Sequence, residues 1–214
     1  MNHSDKGTKS AIVVSHTHWD RAWYLSFNEF RLRLVRMIDR IIVMLERDPD
    51  YTCFVLDGQV VLIEDYLEIR PEKKEQLQSL IQDGRLVIGP WYVLPDLFLV
   101  SSESIIRNLQ IGRTISKQWG SGLNVGYVPD PFGHPAQLPQ ILQGFSIDNF
   151  LFMRGMPDSI NRLGTLHFNW TSPNGSKVRA YYIKEGYFNA AALGYGHIIG
   201  RYHCSTPDLD LATD

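Results

Sequence analysis

Cysteine is scarce in this chain: 214 residues contain two, Cys53 and Cys204. A disulfide framework needs more, so stability must come from an ordinary apolar core. Cys53 sits in an apolar run and reads as a buried thiol. No apolar run approaches ~18 residues, which excludes a membrane-spanning helix on sequence grounds. An excess of one charge is missing too. Lys+Arg number 21 against 23 Asp+Glu, a formal charge of −2. That leaves no broad basic face, so phosphate-driven nucleic-acid binding is not expected. Residues 1–10 are polar and lack the apolar centre of a secretory leader, so they are expected to form a disordered tail. The balance is that of a soluble, cytoplasmic, globular protein with one domain over 11–214, since a domain takes roughly 100–200 residues.

Strand-like and helix-like segments alternate through most of the chain. Ala11 to Ser15 is a short β-branched run, followed by Ser26-Phe27-Asn28-Glu29, which has capping-box spacing. Phe30, Leu34, Met37, Ile38, Ile41 and Leu45 then recur at helical spacing. Thr52 to Leu56 is a second strand candidate and Gln59 to Ile69 a helix. Pro71 suits a first helical position and Gly84 the cap beyond the last turn. Leu86 to Ile88, Val125 to Val128 and Asn149 to Met153 are further strands, separated by helices at Ser102 to Lys117 and Gln137 to Gln143. Helices between strands imply crossovers and a parallel sheet. After Gly155 the pattern changes. Leu166 to Thr171 and Lys177 to Ile183 flank Ser172-Pro173-Asn174-Gly175, which predicts a hairpin. The resulting five or six sheet strands imply either an open sheet or part of a longer enzyme.

Two clusters carry chemistry. His16-Thr17-His18-Trp19-Asp20 follows the first strand. In extended backbone His16, His18 and Asp20 share one face. Imidazole and carboxylate at that spacing suit a divalent ion, zinc above all; capping of the next helix is the plainer alternative. The second cluster is Gly126-Tyr127-Val128-Pro129-Asp130-Pro131-Phe132-Gly133-His134. Asp130 lies between two prolines that stiffen its backbone, as befits a carboxylate held for chemistry, a turn or a helix cap. His134 is assigned a supporting or packing role rather than ligation. Both clusters sit at strand carboxyl ends, where parallel α/β proteins gather their ligands.

Other residues have two readings. Asp57 is expected to cap the helix behind it. Trp91, Tyr92 and Asp96 suit either a sugar platform or the core. Arg154, ending the fifth strand, either binds a substrate oxygen or pairs with Asp130. His197, His203 and Cys204 match no metal spacing and read as surface or packing residues.

His16-Thr17-His18-Trp19-Asp20-Arg21-Ala22-Trp23 resembles the opening signature of the glycoside hydrolase family 38 α-mannosidases. Gly126 to His134, with Gln137-Leu138-Pro139, resembles that family's block around its catalytic aspartate. Gly89-Pro90-Trp91-Tyr92 and Asp57-Gly58-Gln59 resemble the bacterial branch containing mannosylglycerate hydrolase. The similarity runs from about residue 11 to about 185. It implies an α/β fold of the irregular, parallel, seven-stranded β/α barrel type, incomplete in this chain. It also implies one Zn2+ and hydrolysis of α-mannosidic bonds with retention. Carried over by motif, His18 and Asp20 would be zinc ligands, and Asp130 both ligand and nucleophile. Trp23 would pack near the sugar, Arg154 would bind on the substrate side, and His16 would orient His18 or Asp20. The expected partner is an α-mannoside or mannosylglycerate-type substrate, with no nucleic acid and no membrane.

The chain departs from the family in length. The family's fourth zinc ligand and general acid come from segments beyond the matched region, and 184–214 reproduces neither. The expectation is an N-terminal part of a mannosidase that binds zinc weakly and turns over little alone. Its open sheet edge would let copies pair into an oligomer. The rival readings are a metal-dependent carbohydrate deacetylase-like hydrolase, with Asp130 as general base, and a non-catalytic sugar-binding remnant.

Overall fold

The computed structural model describes Ser10 and residues 12–162, 164–184 and 186–188. Most of the expected tail and the His197, His203 and Cys204 segment lie outside the described residues.

The first part of the molecule is a three-stranded parallel sheet with helices packed on it. Strand β1 (His16–Thr17) pairs with β2 (Phe54–Leu56), which pairs with β3 (Leu86–Val87). Helix α1 (Phe27–Arg47) crosses between the first two strands. Its start follows from the sequence: the Glu29 carboxylate accepts from the Ser26 backbone N–H at 3.0 Å. Phe30, Leu34, Val35, Ile38, Ile41, Ile42 and Leu45 form its buried stripe. Helix α2 (Val61–Leu67), a 3-10 turn at Pro71–Lys73 and helix α3 (Lys74–Gln82) complete this part. Leu77, Leu80 and Ile81 are buried, as the helical spacing requires.

The second part is a four-stranded mixed sheet. Its members are β4 (Gly126–Val128), β5 (Asn149–Phe152), β6 (His167–Thr171) and β7 (Lys177–Tyr182), in the order β4-β5-β7-β6. The first three neighbours run parallel, and β6 closes the edge antiparallel to β7. The predicted hairpin is therefore present, with Gly175 at φ +88° in its turn. Helix α5 (Leu138–Gly144) and the short α6 (Asp158–Asn161) complete the set.

Helix α4 (Ser102–Trp119) lies between the two parts. Ser101 Oγ caps it by accepting from the Ser104 N–H at 3.2 Å, and left-handed Gly120 stops it. Ile105 and Leu109 belong to the second core, whereas Ile115 and Trp119 pack on the first. Gly112 is required where α4 meets the 90–92 segment, since a Cβ there would lie 2.3 Å from the Pro90 carbonyl oxygen.

Several expectations need correction. Among the described residues the sheets are open and form no barrel; β3 and β4 are not paired as strands. They are linked by the Leu123 N–H donating to the Ile88 carbonyl at 2.8 Å. The first strand is His16–Thr17 rather than Ala11 to Ser15, because pairing with β2 begins only where the Ser15 carbonyl accepts from Val55. Ile12, Val13 and Val14 are exposed, with no sheet neighbour among the described residues. Cys53 is half-buried rather than buried. No helix among the described residues is long and apolar enough to cross a membrane.

Candidate active site

The chemistry-bearing residues collect beyond the carboxyl ends of β1, β2, β4 and β5. On the first sheet the organiser is Asp57, which follows β2 and does not cap α2, whose N-cap is Val60. Asp57 and Gly58 both adopt left-handed backbone, at φ +50° and +67°. Asparagine and aspartate tolerate that region better than other side chains. A Cβ on Gly58 would sit 3.0 Å from the Tyr127 ring. This turn buries the Asp57 carboxylate completely. Oδ2 accepts from the Trp19 N–H at 2.6 Å and from Gln59 Nε2 at 2.9 Å, and Oδ1 faces His18 Nδ1 at 3.2 Å. Burial pushes the Asp57 carboxyl above its ordinary range, against the pull of His18, Trp19 and Gln59.

His18 thus has one ring nitrogen engaged. The other, Nε2, is buried without a hydrogen-bond partner and lies 3.7 Å from Asp20 Oδ1. Burial lowers the His18 pKa, but the bond to Asp57 and the charges of Asp57, Asp20 and Asp130 outweigh it, so the value is raised. Asp20 is raised chiefly by burial, with Asp130 and Asp57 adding to it against His18. His16 is turned away from both residues. Its Nε2 donates to the Tyr187 carbonyl at 2.5 Å, so it does not orient His18 or Asp20 as the motif implied. Trp23 is exposed and stacked on Tyr24 at 4.1 Å between centroids.

On the second sheet, Asp130 Oδ1 accepts from Arg154 Nε at 2.8 Å and from the Tyr187 hydroxyl at 3.3 Å. Arg154 therefore realises its pairing alternative, and its guanidinium lies 4.8 Å over the Phe132 ring. Burial first, then the charge of Asp130, raises the Tyr187 phenol, which stays protonated as a donor. His134 packs edge-on against Phe150 and Phe152 at 5.1 Å each and donates Nε2–H to the Arg154 carbonyl at 2.8 Å. Burial lowers its pKa. Trp91 is wholly buried and donates Nε1–H to the Tyr127 carbonyl, which makes it core rather than a sugar platform.

The structure brings His18 and Asp20 together and sets Asp130 across Tyr187, whose ring centroid is 5.0 Å from that of His18. Among the described residues no three His, Cys, Asp or Glu side chains form a group that could hold a metal ion. The donor set still suits zinc: a buried imidazole nitrogen with no partner, beside a carboxylate, is the kind of atom a cation satisfies. The sequence assigned Asp57 to helix capping, although Asp57-Gly58-Gln59 was also part of the family resemblance; Tyr187, in a stretch without periodicity, was signalled by nothing.

Residues 9–208 match the family described as the glycosyl hydrolases family 38 N-terminal domain. The chain is 39% identical over 191 residues to a Halalkalibacterium halodurans protein named "Putative mannosylglycerate hydrolase", covering 85% of this chain and 21% of that protein. It is 29% identical over 168 residues to the α-mannosidase of Saccharomyces cerevisiae, covering 77% of this chain and 15% of that one. The crystal structure of an α-mannosidase from Enterococcus faecalis V583 superposes with a TM-score of 0.79 at 40% identity, over 83% of this chain and 20% of that one. The chain thus spans 15% to 21% of the length of these relatives.

Proposed function

The chain belongs to glycosyl hydrolase family 38, and on that premise we propose that it carries the metal-holding and nucleophilic part of a zinc-dependent, retaining α-mannosidase. The observation that carries the reading is the unpartnered, buried His18 Nε2 beside Asp20, with the Asp130 carboxylate near enough for its charge to act on both and held by the Tyr187 hydroxyl. His18 and Asp20 would hold the ion, and Asp130, which the described residues do not gather into one group with them, is assigned as the further ligand by its motif. When bound, zinc would bind sugar hydroxyls and help hold a distorted ring.

Asp130 is the nucleophile in this reading. It attacks the anomeric carbon, forming a C–O bond as the bond to the leaving oxygen breaks. Water then releases the sugar from Asp130, and two displacements give net retention. Arg154 and the Tyr187 hydroxyl both donate to Oδ1, which anchors that oxygen and leaves Oδ2 for the attack. Trp23 and Phe132 offer exposed aromatic faces to the hexose. The leaving oxygen needs a proton donor, and we assign that role to no residue in 10–188. A mannosylglycerate-type glycoside is the substrate class, by likeness to the relative so named.

A fluorinated mannosyl fluoride, which slows the second displacement, tests the reading. In the full-length protein, zinc-dependent accumulation of a hexosyl adduct on the peptide containing Asp130 is expected by mass spectrometry. No adduct, together with acetate release from an acetylated sugar, would point to a deacetylase instead. Mannose binding that survives both chelation and Asp130→Asn, without any adduct, would reduce the protein to a sugar-binding module.

A further inference from the structure

Asp57 is a buried charge that none of the steps above uses. It is wholly buried, sits on a left-handed backbone, and is ringed by N–H donors. Trp19 N–H and Gln59 Nε2 both donate to Oδ2. Gln59 has its amide orientation set independently. Its Nε2 also donates to the Trp19 carbonyl at 2.9 Å, and its Oε1 accepts from the Leu94 N–H at 3.2 Å. Those two bonds leave Oδ1 to face His18 Nδ1 at 3.2 Å. An ionised carboxylate only accepts, so the proton in that contact belongs to Nδ1. The neutral ring then carries its lone pair on Nε2, the buried atom without a partner that lies beside Asp20.

We propose that Asp57 is a positioning residue that locks His18 as the Nδ1–H tautomer and thereby presents the Nε2 lone pair to a divalent cation. The left-handed turn at Asp57 and Gly58 is the structural means: it brings a carboxylate from the end of β2 beneath the loop that follows β1. A purely structural role would be served by the Trp19 and Gln59 contacts, which concern Oδ2. The Oδ1 contact is the one that bears on His18. What Nε2 serves rests on the zinc reading above; the tautomer does not.

The test uses the metal-free chain with 15N-labelled histidine, read by long-range 1H–15N spectra, and then by zinc competition against a chromophoric chelator. In the wild type His18 is expected as the Nδ1–H form. In Asp57→Asn the single amide oxygen is taken by Trp19 and Gln59, and the amide NH2 faces the ring. His18 should switch to the Nε2–H form, and zinc affinity should fall about 10- to 100-fold. An unchanged tautomer in Asp57→Asn, with zinc affinity within about twofold of wild type, overturns the proposal. If Asp57→Asn does not fold, the wild-type tautomer decides, because the Nε2–H form overturns the proposal and the Nδ1–H form supports it. A wild type in the Nδ1–H form that takes up no zinc supports the positioning role while refuting the metal reading.

Discussion

The two sheets prepare their functional groups in opposite ways. On the first, the charge that matters is hidden: Asp57 is completely buried, and it acts on His18 through a fixed hydrogen bond. On the second, Asp130 and its partner Arg154 remain partly open to solvent, and a single ion pair plus one phenol hold the carboxylate. A ligand-holding imidazole benefits from rigidity, since its tautomer and direction decide whether it binds at all. On the proposed reading Asp130 is the nucleophile, and a nucleophile has to be reached by substrate, which its partly open position allows. Tyr187 joins the two sides, giving its carbonyl to His16 and its hydroxyl to Asp130.

The sharpest way to break this comparison is Asp130→Asn. Turnover of an α-mannoside by the full-length protein should fall by at least about 10⁴-fold, with zinc uptake at His18 and Asp20 weakened but not abolished. Loss of zinc without loss of turnover would reverse the assigned roles. Next in size is Phe150→Ala, which empties a fully buried ring position in the second core and should cost about 3–5 kcal/mol in urea unfolding. Because α4 packs on both cores, the transition should stay single. A split melt would show two independent folding units. Gly112→Ala comes third. A methyl group there meets the backbone of residues 90–92, so α4 must move, costing about 1–3 kcal/mol despite the better helix former.

The smallest effect sharpens the comparison most directly, because the two histidines have opposite signs. His18 is raised above its ordinary 6.5 in the folded chain. Its contribution to stability is complete below 6.5 and is lost as pH rises through the raised value. His134 is lowered from 6.5 by burial, so its unfolded form takes up the proton first. Its contribution is complete above 6.5 and is lost as pH falls through the lowered value. Unfolding free energy of the metal-free chain should therefore slope oppositely on the two sides of 6.5. His134→Phe should flatten the acid side and His18→Gln the alkaline side. A His134→Phe variant that altered only the alkaline side would contradict the assignment.

Much of this was legible in the residues. The α1 stripe from Phe30 to Leu45, the Asn174-Gly175 hairpin and the parallel pairing of strands joined by helices follow from periodicity and turn chemistry, which act over a few residues. The Arg154–Asp130 pair was one of two open alternatives, and packing chose it. The strand read at Ala11 to Ser15 failed for a different reason. β-Branched residues favour extended backbone, but a strand exists only where another chain segment supplies hydrogen bonds, and β2 supplies them only from Ser15 onward.

Residue identity and local spacing by themselves determined which groups were available for chemistry and on which strand ends they stand, because alternation and capping are short-range properties of the backbone. Only the tertiary structure decided that Asp57 serves His18 instead of a helix, and that Tyr187 spans from His16 to Asp130. These partners lie 39, 171 and 57 residues apart in the chain. Contacts at such separation depend on how whole sheets and loops come to rest on one another, and no local pattern encodes that.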